Sequence, residues 1–220
     1  MANVAHVGHA ELLTPELVAS QRFFVGVLGM TVVAESANAV YLRGYGQYQR
    51  TDLKLSAASV AGLGHLGLRM ASGPALERTA SEFEAAGRGR GWIDGDVGHG
   101  RAFRFEDPSG HVPGAPPRLH HLAFWVDTRE EVLRAADVFV DHGVTIEVPP
   151  AQHGIGSSFF LYAYEPGGNR IEVTTGADFV YDPDPETRTW TAADQARGVG
   201  WGTRFPDSWR TYGTPPVESR

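Results

Sequence analysis

The chain has no cysteine, which excludes a disulfide framework, cysteine-ligated zinc, an iron–sulfur cluster and thiol catalysis. It has no apolar run long enough to cross a bilayer, and no basic residue before Arg22 to begin a secretion signal. Basic residues are also scarce: 19 lysines and arginines against 26 aspartates and glutamates leave a net charge of −7. Such a chain lacks the basic patch that holds nucleic acid. We therefore expect a soluble, cytoplasmic protein that acts on a small molecule and binds neither membranes nor nucleic acid.

What the sequence does have is histidine, nine residues in all, and three of them recur in a repeat. His9, His65 and His121 each lie in a short apolar run, and successive copies are 56 residues apart. Each run is typical of a strand, and each is followed by a helical stretch. Further strand-like runs complete each copy. The sequence therefore predicts an α+β fold made of tandem βαβββ units.

The repeat also predicts the domain organisation. The last two units share a turn motif, at 105–111 and 164–169, and His99-Gly100 and His153-Gly154 come before it. The second unit has prolines where the third has its last alternating strand, so we expect that strand to be missing. The tail is rich in aromatic residues and is expected to pack over another surface. The predicted boundaries are 1–58, 59–117 and 118–176 for the three units, and 177–220 for the tail.

His121 and Glu172 are the first candidate pair. They lie on the first and last predicted strands of the third unit, which belong to one sheet. Because strand side chains alternate, the neighbouring His120 is expected to point to the opposite face. An imidazole, a carboxylate and a second imidazole from a companion unit would form the two-histidine, one-carboxylate set of non-haem Fe(II) oxygenases. The plainer interpretation is a buried, hydrogen-bonded histidine and a solvated carboxylate.

His153 and Tyr162 are the candidate catalytic residues. His153 follows a predicted strand in a glycine-bearing loop, and a neutral histidine can accept and return protons near neutral pH. Tyr162 lies on the next strand, and its un-ionised hydroxyl can donate a hydrogen bond to a substrate oxygen. The plainer alternatives are a solvated loop histidine and an ordinary packed aromatic residue.

The segments 118–127, 160–162 and 165–173, together with the loop at His153, resemble the type I extradiol ring-cleavage dioxygenases. Within that family of the vicinal oxygen chelate superfamily, the chain is most similar to catechol 2,3-dioxygenases, and the resemblance extends over essentially its whole length. The resemblance implies cleavage of a catechol next to its hydroxyls with O₂, with Fe(II) as the cofactor and Mn(II) as the alternative. It also implies that His121 and Glu172 bind the metal, and that His153 and Tyr162 contact the substrate or its oxygen adduct.

The chain departs from the family in one respect. The family has four units, with the metal between the third and fourth, whereas this chain passes from Gly110-His111 almost directly to the unit of His121. A unit that supplies one histidine ligand is therefore missing. The 56-residue spacing favours His65 as the replacement, and His9 is a second source. The third source is another copy of the chain, which would give a four-ligand site on a two-fold axis.

Two further expectations follow from the missing unit. An odd number of units leaves one sheet edge unpaired, so self-association into a homo-oligomer is expected. The loss also leaves two alternative functions open. One is a non-oxidative, glyoxalase-like metal enzyme, and the other is a relative that binds an aromatic ligand without catalysis.

Overall fold

The structure is a computed structural model that describes residues 3–106, 119–178, 181–182, 184, 186–187, 189–191, 194 and 204–213. These residues form two compact units, the first ending at Leu119 and the second comprising His120–Gly213. The boundary falls between the second and third predicted repeats. A separate domain for each repeat stays a prediction.

The first repeat has the predicted order of elements. These are strand β1 (Val4–Thr14), helix α1 (Leu17–Arg22), and strands β2 (Thr31–Glu35), β3 (Ala39–Arg43) and β4 (Leu53–Ala57). Helix α1 continues into a π-helical turn at Phe23–Val27 that buries two phenylalanines against the sheet. Burial of such side chains is the main force that holds a helix onto a sheet. The core of this repeat consists of Leu12, Phe23, Phe24, Leu42, Leu53 and Leu55.

The second repeat joins the first through their opening strands. It comprises β5 (Gly62–Met70), α2 (Gly73–Ala85), β6 (Gly89–Ile93) and β7 (Ala102–Phe105). Strand β5 pairs antiparallel with β1, which gives a five-stranded sheet of order β2-β3-β4-β1-β5, whereas β6 and β7 form a separate pair. The expected loss of the last strand falls on residues 112–117, which lie outside the described residues.

The third repeat forms the sheet of the second unit. Its elements are β8 (Leu122–Trp125), α3 (Arg129–Asp141), β9 (Ile146–Gln152), β10 (Phe159–Tyr164) and β11 (Arg170–Thr175). The strand order is β8-β11-β10-β9, with β8 parallel to β11. A capping box between Thr128 and Glu131 begins α3, and Gly143 with a φ of +67° follows its end.

The two faces of this sheet differ in chemistry. Helix α3 packs against β9, β10 and β11, and buries Val132 and Phe139 completely. Because side chains alternate along a strand, Arg170 and Glu172 share one face of β11. Tyr162 on β10 is the cross-strand partner of Glu172 and lies on the same face. The sheet thus separates an apolar core from a face that carries buried polar groups.

Residues 204–213 of the tail pack on that polar face. Helix α4 (Asp207–Thr211) and the residue Phe205 before it bring two aromatic rings against the cluster that contains Tyr162. Trp201, which belongs to the same expectation, lies outside the described residues. Among the described residues, no helix has the length and apolar character needed to cross a bilayer.

Candidate metal centre

His121 and Glu172 meet in the second unit. Glu172 is 6% exposed, and its Oε2 lies 3.0 Å from Nε2 of His121. The contact arises because β8 runs parallel to β11 with Ala123 opposite Glu172, and His121 precedes Ala123 by two residues. Two donor atoms that each bind one ion at about 2.1 Å and at right angles are roughly 3.0 Å apart. The pair therefore fits two neighbouring ligands of a divalent metal.

His120 contacts His121 and does not point to the opposite face, so the expectation from strand alternation is wrong. The reason is that β8 begins at Leu122, and both histidines precede it. Nε2 of His120 donates to the Trp209 carbonyl at 2.7 Å, which leaves Nδ1 of His120 to accept from Nδ1 of His121, also at 2.7 Å. In the neutral His121 ring, the form that binds a metal, the lone pair on Nε2 then faces Glu172. His120 thus orients a ligand, as partners of metal-bound histidines do.

The electrostatics of His120 agree with that role. Burial lowers its pKa, and the nearby charges of Arg170 and His121 lower it further, although the hydrogen bond to Trp209 acts in the opposite direction. A histidine with a lowered pKa is neutral at pH 7, and only a neutral ring has the nitrogen lone pair that His121 donates to.

Glu172 is ionised at neutral pH. Burial by itself raises the pKa of this carboxyl, but without a metal the hydrogen bonds and charge interactions with His121 and His153 outweigh burial and hold the pKa at about 2. A bound cation would take the place of the His121 donor, because Nε2 of the metal-binding ring carries a lone pair. Nε2 of His153 lies 3.6 Å from the second carboxylate oxygen. The site therefore presents a buried negative charge, which is what a cation requires.

Tyr162 and His153 lie beside the pair. The Tyr162 side chain is 2% exposed, and its hydroxyl is 3.4 Å from Nε2 of His153. Burial raises the pKa of Tyr162 above its usual value of 10, and the charge of Glu172 raises it further. The phenol thus keeps its proton at neutral pH and can donate it in a hydrogen bond. The ring of His153, directly after β9, stacks on Phe160 with centroids 3.8 Å apart.

Aromatic rings from the tail cover this group. The rings of Phe205 and Trp209 stack on each other at 4.3 Å and lie 6.4 and 6.0 Å from the Tyr162 ring. Arg170, which is 2% exposed, fixes the tail by donating to the carbonyls of Ser208 at 3.0 Å and Tyr212 at 2.9 Å. Sequence reasoning missed Phe205 and Arg170, since neither matches a repeat partner of similar chemistry.

No third metal ligand is found among the described residues that surround His121 and Glu172. Within the part of the chain that the structure describes, no three histidine, aspartate or glutamate side chains are arranged to hold one metal ion. His65 belongs to the first unit, where both of its ring nitrogens have partners. Its Nδ1 lies 2.7 Å from Glu11 and its Nε2 lies 2.7 Å from Nε2 of His9. A role for His65 in binding the metal of His121 stays a prediction, and it would require giving up the contact with His9.

The first unit holds an equivalent of this site in which an ammonium replaces the carboxylate. Strand β4 runs parallel to β1 with Lys54 opposite Glu11, just as Glu172 lies opposite Ala123. His9 precedes Glu11 by two residues, as His121 precedes Ala123, so Lys54 occupies the position of Glu172. Nζ of Lys54 lies 3.2 Å from Glu11 and 2.7 Å from Asp96. The first unit therefore carries a fixed cation where the second presents a buried anion.

Comparison with known proteins gives consistent results. The profile of the Glyoxalase/Bleomycin resistance protein/Dioxygenase superfamily matches residues 6–173. Metapyrocatechase of Geobacillus stearothermophilus is 34% identical, and the alignment covers 97% of this chain and 94% of that protein. A manganese-dependent 2,3-dihydroxybiphenyl 1,2-dioxygenase of Geobacillus genomosp. 3 is 25% identical, with 91% and 94% covered.

Solved structures share the fold. A variant of homoprotocatechuate 2,3-dioxygenase from B. fuscum superposes with a TM-score of 0.89 at 23% identity, covering 98% of this chain and 84% of that one. The enzyme from Brevibacterium fuscum in complex with 3,4-dihydroxyphenylacetate gives a TM-score of 0.82 at 20% identity, with 99% and 96% covered. The predicted α+β fold of βαβββ units is confirmed.

The alignment with the metapyrocatechase also bears on the missing unit. It spans 308 positions, which exceeds the 220 residues of this chain by 88. At least that many positions of the relative therefore have no counterpart here. That number exceeds the 56 residues of one repeat.

Proposed function

We propose that this chain, which belongs to the extradiol ring-cleavage dioxygenases of the glyoxalase and dioxygenase superfamily, opens the ring of a catechol next to its hydroxyls with O₂. The observation that supports the proposal is the convergence of His121, Glu172, His153 and Tyr162 in one unit. The names of the relatives support the substrate class. Both 2,3-dihydroxybiphenyl and 3,4-dihydroxyphenylacetate have adjacent hydroxyls on an aromatic ring.

His121 and Glu172 are the proposed ligands of the metal. Fe(II) is the proposed ion, because histidine nitrogens and a carboxylate that leave open positions suit non-haem iron oxygenases. The manganese-dependent relative supports Mn(II) as the alternative. When bound, the ion supplies Lewis acidity and open positions for the substrate oxygens and O₂.

The other residues position the substrate and handle its protons. Tyr162, whose phenol stays protonated, donates a hydrogen bond to an oxygen of the substrate. His153 accepts the proton that a catechol hydroxyl loses and returns it to the product, since its Nε2 lies within 3.6 Å of both Glu172 and the Tyr162 hydroxyl. The rings of Phe205 and Trp209 limit the access of water, which strengthens these contacts.

An oxygen-consumption assay tests the proposal. Protein loaded with freshly reduced Fe(II) is mixed with catechol in air, and the expected result is a yellow ring-opened product with one O₂ consumed per product. His121→Asn should abolish both. His142→Asn is the matched control, because His142 is exposed at the end of α3 and hydrogen-bonds only locally. Folded, iron-loaded protein that consumes no O₂ with catechol would refute the proposal.

A further inference from the structure

We propose that a second copy of this chain completes the metal centre, by pairing its strand β8 with β8 of the first copy so that both His121 side chains bind one ion. The inference rests on the proposed function for the nature of the ligand. Its own basis is the geometry of the first unit, which shows how two repeats of this sequence join.

In the first unit, two repeats meet along their opening strands. Strand β1 has β4 on one side and β5 on the other, so both of its edges are paired. Strand β8 is the counterpart of β1 in the third repeat, and it has β11 on one side. Among the described residues, β8 is the last strand of its sheet. The end strand of a sheet is a template for pairing with another chain.

The register of β1 and β5 is compatible with two-fold symmetry. Ala10 pairs with Leu66, His9 with Gly67 and Glu11 with His65, without interruption. Ala10 and Leu66 both follow the repeated histidine by one residue, as Leu122 follows His121. The same register between two β8 strands therefore places Leu122 opposite the partner's Leu122. Identical positions that face each other define a two-fold axis, which is the commonest symmetry of protein dimers.

This register brings two histidines of the repeat together. In the first unit it places Nε2 of His9 2.7 Å from Nε2 of His65. In the paired β8 strands the equivalent residues are His121 and the partner's His121, and each copy adds Glu172 where the first unit has Lys54. Because the two-fold axis makes the two copies equivalent, two imidazoles and two carboxylates would surround the ion, which leaves two positions of an octahedral ion open for the substrate.

The space opposite His121 allows the pairing. The residue opposite His9 is Gly67, where a Cβ would lie 2.4 Å from the His9 ring. The residue opposite His65, however, is Glu11, which has a long side chain. The register therefore does not require a glycine opposite the histidine of a repeat. Opposite His121 would be the partner's Ala123, which is smaller than Glu11.

Cysteine cross-linking tests the register, and the chain has no cysteine to interfere. Residues directly opposite in an antiparallel pair have Cα atoms about 4.5–5.5 Å apart, within the range of a disulfide. Leu122→Cys should therefore form an intermolecular disulfide under mild oxidation. Trp125→Cys is the control: its side chain is 53% exposed, but the two copies would lie six residues apart along the strands, about 20 Å. We expect at least about ten-fold less linked dimer from Trp125→Cys.

Two further measurements separate this inference from the proposed function. Sedimentation should show that the wild-type protein is a dimer, and metal analysis after loading with Fe(II) or Mn(II) should give one ion for two chains. A monomer, one tightly bound ion in each chain, or stronger linking through Trp125→Cys than through Leu122→Cys would overturn the inference. A monomer that cleaves catechol would overturn it and leave the proposed function standing. A linked dimer that binds the ion and consumes no O₂ would support the inference and overturn the proposed function.

Discussion

Lys54→Glu should create a metal site in the first unit. The substitution places a carboxylate at the position equivalent to Glu172, beside two histidines whose Nε2 atoms are already 2.7 Å apart. Burial, and then the charges of His65 and His99, lower the pKa of His9 to about 4, so its ring is neutral at pH 7 and can bind a metal. The prediction tests the equivalence of the two units, on which the dimer inference also depends.

The magnitude follows from the ion pairs that the substitution breaks. Lys54 lies 3.2 Å from Glu11 and 2.7 Å from Asp96, and its side chain is 18% exposed. Removal of one partner from a buried ion pair costs about 3–5 kcal/mol, and partial exposure reduces this to roughly 3 kcal/mol, which is the expected loss for Lys54→Gln. Metal-free Lys54→Glu should lose more, because its new carboxylate also repels Glu11 and Asp96. A metal at one hundred times its dissociation constant restores about 2.7 kcal/mol, or about 5–10 °C in melting temperature for a chain of this size.

Thermal unfolding with and without Zn²⁺ at pH 7 is the assay, and Lys54→Gln is the matched control. Both variants lose the ammonium, so both should melt below the wild-type protein, but only Lys54→Glu should recover with Zn²⁺. The increase should saturate as zinc is added, and zinc analysis should find an ion that Lys54→Gln lacks. Equal responses of the two variants to Zn²⁺ would show that position 54 is not the counterpart of Glu172.

Three other predictions concern single residues. Glu147→Leu leaves the buried guanidinium of Arg170 without its carboxylate, so the free energy of unfolding in urea should fall by about 3–5 kcal/mol, against less than about 0.5 kcal/mol for the exposed Glu130→Leu. The pKa of Glu11 is held at about 2 because hydrogen bonds from its neighbours outweigh burial. Its contribution to stability, about 3 kcal/mol, is therefore complete above pH 4.5 and should be lost as the pH falls toward 2, an acid dependence that Glu11→Gln should reduce. His65→Ala should retain the bound metal if a second copy supplies the third donor, and loss of the metal in a folded His65→Ala protein would instead identify His65 as the ligand.

The sequence predicted the repeats and the four residues that meet in the second unit, because both depend on local pattern. Apolar runs set the strands, and a strand that carries Glu172 within a repeat must lie in the same sheet as the strand after His121. The sequence could not decide which repeats pair. The opening strands β1, β5 and β8 all have similar apolar patterns, so the pairing of β5 with β1 depends on tertiary contacts that spacing does not encode.

The role of His120 was missed for a different reason. Alternation assigns faces only within a strand, and β8 begins one residue after the histidine pair. The ends of strands and helices are the least predictable feature of a sequence. Because β8 begins just after His121, the His120 side chain hydrogen-bonds to the proposed ligand His121 and does not point to the opposite face. Lys54 gave no indication either, because a lysine in a strand of alternating pattern is typical of a solvent-facing position.

The tail therefore does more than cover the site. Arg170 lies two residues before Glu172 on β11, and it donates both to carbonyls of the tail and to the carbonyl of His120. The carbonyl of Trp209, in the same tail helix, accepts the hydrogen bond that fixes His120 and, through it, the lone pair of His121. One buried guanidinium thus holds the carboxylate strand, the helix that orients the histidine ligand, and the aromatic cover in a fixed relation. Loss of the tail should therefore weaken metal binding even though the tail supplies no ligand, because ligands that are not oriented in advance must be ordered when the metal binds.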